Sequence, residues 1–137
     1  MPTVLVFNAH RRYRMQRRKV EGYVKGVMGE REALISVVFV DSRRCKAINR
    51  TFLNHNYVTD VISFCLETSP ILEGEVYVNL DRARSQARQY NVSTANETAR
   101  LVIHGCLHLM GYDDRTAKQR SKMKAVEDMV LARWFSH

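Results

Sequence analysis

Cysteine is scarce in this chain of 137 residues: Cys45, Cys65 and Cys106 are the whole supply. An odd, scattered set builds no disulfide framework and holds no Cys-x-x-Cys pair, and it fits a reducing compartment. No apolar run approaches the ~20 residues that a membrane span needs. The N-terminal "MPTVLVFNAHRR" puts a short apolar run ahead of its basic residues, the reverse of a signal peptide. The cytoplasm is therefore the expected location, with no membrane partner. Repeats, low-complexity tracts and linkers are also missing, so a single domain over residues 1–137 is expected. Acidic residues are outnumbered, 14 Asp+Glu against 22 Lys+Arg, for a net charge of +8. That excess suits an anionic partner such as RNA, DNA or an acidic surface, or serves solubility alone. A hydrophobic content of 45% argues against disorder.

The patterning of what is present predicts an α/β (α+β) domain. "TVLVF" (3–7) reads as a strand, and "RRYRMQRRKVEGYVKGVMG" (11–29) as a helix with Tyr13, Val20, Val24 and Val27 roughly on one side. "ALISVVFV" (33–40) reads as a buried strand. In "DSRRCKAINRTFL" (41–53) Asp41 can cap a helix that carries Cys45, Ile48 and Phe52 on one face. "NHNYVT" (54–59) reads as a polar loop. "DVISFCLE" (60–67) and "GEVYVNL" (74–80) are strands that a short connection should pair antiparallel. A polar helix capped by Asp81 follows over 81–90. The next helix, over 93–111, has Thr94 and Glu97 in capping-box spacing and Gly111 at its C-terminal turn. A last helix, over 115–135, repeats the capping-box pattern at Thr116 and Gln119. The order β-α-β-α-β-β-α-α-α implies a mixed sheet of about four strands with about five helices.

"HGCLHLMGYDD" (104–114) carries the chemistry. His104 and His108 stand one helical turn apart and share a face. They could be packed, hydrogen-bonded core histidines, or they could present imidazoles to one ion. Gly111 lets the chain turn, and Asp114 follows at the spacing of a third ligand. Asp113 and Asp114 could instead cap the last helix, but Thr116 is better placed to do so. Three protein ligands leave a position open for water, the arrangement of catalytic rather than structural zinc. Zinc proteases of this spacing place a glutamate directly after the first histidine as general base. Here that residue is Gly105, which disfavours peptide hydrolysis by that route. A phosphodiester asks chiefly for stabilisation of charge on the phosphoryl oxygens, which a metal and nearby cations supply. Cys106 points away from this face and is expected in the core.

The same stretch resembles the HGxLHLxGYDH signature of the YbeY family of bacterial rRNA maturation factors. "INRTFLNHNYVTDVISF" (48–64) is similar to the family's LNxxYRxxDxPTDVLSF, and "GEVYVN" (74–79) to its GDIxIS segment. Met123 and Glu127 match a recurring M-x-x-x-E in the last helix. The resemblance spans nearly the whole chain. It implies a zinc-dependent, single-strand-specific endoribonuclease with one Zn²⁺ per chain and the metal site on a central helix. It implies a role in maturing the 3′ end of 16S rRNA, in late ribosome assembly and in ribosome quality control. The 16S precursor, the small subunit and its proteins are the implied partners. His104 and His108 fall on the first two metal ligands, and Asp114 on the family's usual third histidine. A carboxylate there lowers the net charge of the metal site, which should make bound water less acidic and move the metal preference towards harder ions. Leu53 falls where the family commonly has an arginine implicated in activity. Arg43, Lys46, Arg50 and His55 are the nearby candidates for contact with RNA. Met123 is expected to pack beneath the metal site rather than to ligate.

Overall fold

A computed structural model describes residues 1–54 and 58–135. Four strands form one sheet: β1 (Thr3–Asn8), β2 (Ala33–Val40), β3 (Val61–Glu67) and β4 (Leu72–Asn79), in the spatial order β1-β2-β4-β3. β1 with β2 and β2 with β4 are parallel, while β3 with β4 is antiparallel, as the short connection between them requires. Five helices accompany the sheet: α1 (Arg17–Met28), α2 (Ser42–Leu53), α3 (Leu80–Gln89), α4 (Thr94–Leu109) and α5 (Ala117–Leu131). The expected mixed four-stranded sheet with five helices is the observed architecture.

Alternation along β2 and β4 turns Ile35, Val37, Phe39, Val76 and Val78 inward, where they join Val20, Tyr23 and Val24 of α1 and Val102, Ile103 and Leu107 of α4 in the main core. α2 packs against a smaller cluster of Val40, Cys45 and Ile62. α4 is the hub, touching α1, α3, α5, β3 and β4. It is buried nearly all round, so the few polar side chains along it are conspicuous. None of the described helices is long and apolar enough to cross a membrane.

Local chemistry explains where the boundaries differ from expectation. α1 begins at Arg17, not at residue 11. The Asn8 side chain bonds both the N–H and the carbonyl of Met15, and His10 Nδ1 accepts the N–H groups of Arg12 and Tyr13. These bonds hold 9–16 as a loop in competition with helix. α3 is capped by Asn79, whose Oδ1 accepts from the Asp81 and Arg82 amides, rather than by Asp81. Asp81 instead ties His10 Nε2 at 2.8 Å and the Ser42 amide at 2.9 Å. α4 is capped by Ser93, one residue before Thr94. Glu97 does not reach back to a cap but accepts from Gln86 Nε2 at 2.7 Å. Phe52 is 69% exposed, with its ring edge-on to Phe64. Asp41 caps α2, and Thr116 with Gln119 forms a complete capping box on α5.

Candidate metal centre

α4 presents Glu97, Arg100, His104 and His108 as successive positions of one helical stripe. Position 105 lies on the other side, against the sheet. A Cβ there would stand 2.4 Å from Val76 Cγ1, and the Gly105 carbonyl accepts the Ser63 hydroxyl at 3.0 Å. The base that zinc proteases place at this position therefore has neither a side chain nor the room for one. Cys106 is buried as expected, and burial pushes its thiol up to about 12.

The chain leaves α4 through Gly111, whose φ of +96° favours glycine. The Gly111 and Tyr112 amides bond back to the carbonyls of His108 and Leu107, both at 3.0 Å, which fixes the turn. Asp113 occupies the turn, where its carboxylate takes the Asp114 amide at 2.9 Å and lies 3.3 Å from Arg115 Nε. The Asp114 carboxylate is left to face α4. Its Oδ2 stands 3.5 Å from His104 Nε2 and 3.4 Å from His108 Nε2, and the two Nε2 atoms are 3.1 Å apart. These three residues could hold a metal ion.

Behind His104 lies a partner that motif spacing does not reveal. Its Nδ1 is 2.7 Å from Oε2 of Glu127, a carboxylate only 6% exposed. Glu127 Oε1 accepts Arg100 Nη1 at 2.8 Å, and Arg100 Nη2 reaches Asp128 at 2.6 Å. A carboxylate at Nδ1 keeps the proton on that nitrogen and leaves the Nε2 lone pair facing His108 and Asp114. Burial pulls the His104 pKa down, but the hydrogen bond and charge of Glu127, with Asp114 and Asp60, outweigh it and hold it above the ordinary value. In a chain of net charge +8, this spot is built to stabilise an added positive charge.

Two cavities meet at the triad. One, of about 710 Å³, is lined by Leu53, Thr59, Asp60, Ser63 and Arg115 together with all three triad residues. The other, of about 500 Å³, lies towards α3 and α5 and shares His104 and Asp114. Met123, 1% exposed, lines the second cavity from below, as a packing residue. Of the basic candidates on α2, Arg43 lines a separate cavity with Arg11 and Arg44. Lys46 and Arg50 are exposed and line neither cavity at the triad, and His55 lies outside the described residues. The cations that do line them are Arg100, Arg115, Arg120 and Lys124. Arg115 follows the motif directly in sequence, so its neighbourhood was the available signal.

The Endoribonuclease YbeY family model matches residues 7–135 of the chain. An endoribonuclease YbeY of Chlorobaculum parvum is 41% identical over 110 residues, covering 80% of this chain and 78% of that protein. One from Chloroherpeton thalassium is 39% identical over 121 residues, covering 88% of this chain and 85% of that protein. Among solved structures, the solution structure of TM1509 from Thermotoga maritima superposes with a TM-score of 0.62 at 26% identity, covering 96% of this chain and 91% of that one.

Proposed function

This chain belongs to the Endoribonuclease YbeY family, and from that premise we propose that it is a zinc-dependent endoribonuclease of single-stranded RNA. In this reading residues 1–137 form one metal-hydrolase domain working in the cytoplasm. It matures the 3′ end of 16S rRNA and acts in late small-subunit assembly and ribosome quality control, with the 16S precursor, the small subunit and its proteins as partners.

The observation that carries the reading is the donor triangle. Ligands at zinc's ~2.0–2.1 Å in a tetrahedron stand about 3.3 Å from one another. The three donor atoms of His104, His108 and Asp114 stand 3.1, 3.4 and 3.5 Å apart. Two imidazole nitrogens and one carboxylate oxygen are a donor set that zinc accepts, with a fourth position left for water or substrate. A bound divalent ion would supply a Lewis acid for a phosphoryl oxygen and a water of lowered pKa. The chain's own residues do the rest. Glu127 holds the His104 ring in one tautomer, and Arg100 holds Glu127. Arg115 and Arg120 place positive charge on either side of the triad, where a polynucleotide running across it carries phosphates. Asp60, in the larger cavity, is a carboxylate available to orient water. Peptide hydrolysis is disfavoured because no base stands or fits at Gly105.

His108→Ala tests the proposal. Metal content and cleavage of single-stranded RNA should fall together, and a variant that binds no metal yet cleaves as fast as wild type overturns it. Leu53, in place of the family's arginine, lines the cavity beside the triad and favours a second reading. In that reading the protein is an RNA- or ribosome-binding assembly factor with a mainly structural metal. A metal-site variant that still restores ribosome maturation in cells would decide for it.

A further inference from the structure

The two cavities at the triad have different walls. The larger is the more polar, with Asn49, Thr59, Asp60 and Ser63 along it beside Leu53, Val61 and Ile62. The smaller has exposed apolar groups at its mouth: Tyr90 is 61% exposed and Val92 40%. A concave apolar wall with a few polar groups beside a charged centre is the make-up of a small-ligand site.

Tyr90 is held as a platform. It ends α3, with its amide bonded to the Gln86 and Arg88 carbonyls. Asn91 then turns the chain at φ +55°, and the Val92 amide returns to the Ala87 carbonyl at 2.9 Å. The backbone beneath the ring is thus fixed, while the ring has no aromatic partner among the described residues. Asn96 and Glu97 line the same cavity with hydrogen-bonding groups. At its rim Arg120 donates Nη1 to the Asp114 and Arg115 carbonyls, at 3.3 and 3.1 Å, and makes no ion pair among the described residues. Its charge is therefore fixed in place and uncompensated, one residue type and position suited to a phosphate.

We infer that this cavity is a nucleotide subsite. It takes one unstacked base of a single RNA strand, next to the phosphate at the triad, with the base face on Tyr90 and the strand's phosphate at Arg120. The inference rests on the endoribonuclease reading and names the side of the triad on which a base is gripped. A cavity of about 500 Å³ is of the size that small-ligand sites have. A base in a duplex would first have to leave its stack to enter, so the subsite also supplies a physical reason for acting on single strands.

The experiment uses zinc-loaded full-length protein and a cleavage-resistant phosphorothioate RNA strand carrying one 2-aminopurine. Tyr90→Ala should weaken binding roughly 5- to 150-fold, the range for losing one base–aromatic stack, and should abolish quenching of the 2-aminopurine. Tyr90→Phe keeps the ring and should keep both. Since Tyr90 is exposed, melting temperature should not move in either variant. Folded Tyr90→Ala that binds and quenches like wild type overturns the subsite. Wild type that shows the Tyr90-dependent binding but cleaves no natural RNA overturns the nuclease reading and leaves the subsite standing. Wild type with no affinity for the strand overturns both.

Discussion

His104 and Asp114 face one another across the triad but are held in opposite ways. His104 sits on a buried helix, and its outer nitrogen is fixed by Glu127, which Arg100 holds in turn. Asp114 sits beyond the glycine turn, its side chain 41% exposed, with an ion-pair contact only to the two histidines among the described residues. One half of the site is built into the core, and the other is laid over it by a loop. The ligand type can therefore change more readily on the loop than on α4. Replacing His104 would leave Oε2 of the buried Glu127 without its partner. A substitution at 114 disturbs little else, which is why a carboxylate can stand where the family's third histidine is expected.

Among changes that leave the three ligands in place, the largest effect should come from loosening the braced half. Glu127→Gln leaves one amide oxygen to serve both His104 and Arg100, and metal affinity should fall roughly 10- to 100-fold, the cost typical of losing an outer partner of a metal-bound histidine. Titration calorimetry with zinc measures it, and an unchanged affinity would show that Glu127 does not brace His104. Gly105→Ala presses a methyl group into Val76 and tilts α4 away from the sheet, at a cost of about 1–3 kcal/mol in urea unfolding. A neutral outcome would mean that the helix half is not locked by its packing.

The smallest effect lies outside both halves and serves as a control. Burial raises the Asp81 pKa, but its bonds to His10 and the Ser42 amide outweigh this and hold it below the ordinary value of 3.8. A carboxyl depressed in the folded state adds stability above its ordinary value, and that stability is lost as pH falls through the folded one. Asp81→Asn should therefore cost about 0.5–1 kcal/mol at neutral pH, limited by solvent screening of a side chain 42% exposed. The gap to wild type should close below pH 3.8, and metal affinity at neutral pH should match wild type. A gap that widens in acid contradicts the sign.

The readable features were those set by nearby residues. Asp41, Thr116 with Gln119, and Gly111 act within a few positions of themselves, and each does what its spacing suggests. The His104, His108 and Asp114 cluster is likewise a product of one helix and one turn. Contacts across long separations were not readable. Glu127 reaches His104 over 23 residues and Arg100 over 27. The loop over 9–16 depends on side chains of the preceding strand end, so Arg-rich helical spacing misplaces the start of α1. Where two polar residues compete for one cap, as Ser93 with Thr94 and Asn79 with Asp81, spacing alone does not choose between them. The wall of the smaller cavity, with Tyr90 and Arg120, exists only once α3, α4 and α5 are assembled, and that of the larger, with Arg115, only once α2, β3 and α4 are.

Metal analysis of the purified protein, wild type beside Asp114→Ala, shows whether two helical histidines and one loop carboxylate hold a single catalytic metal. One zinc per chain in wild type, and loss or marked weakening in the variant with the fold intact, is the predicted result. Equal metal content and affinity in both would contradict the account.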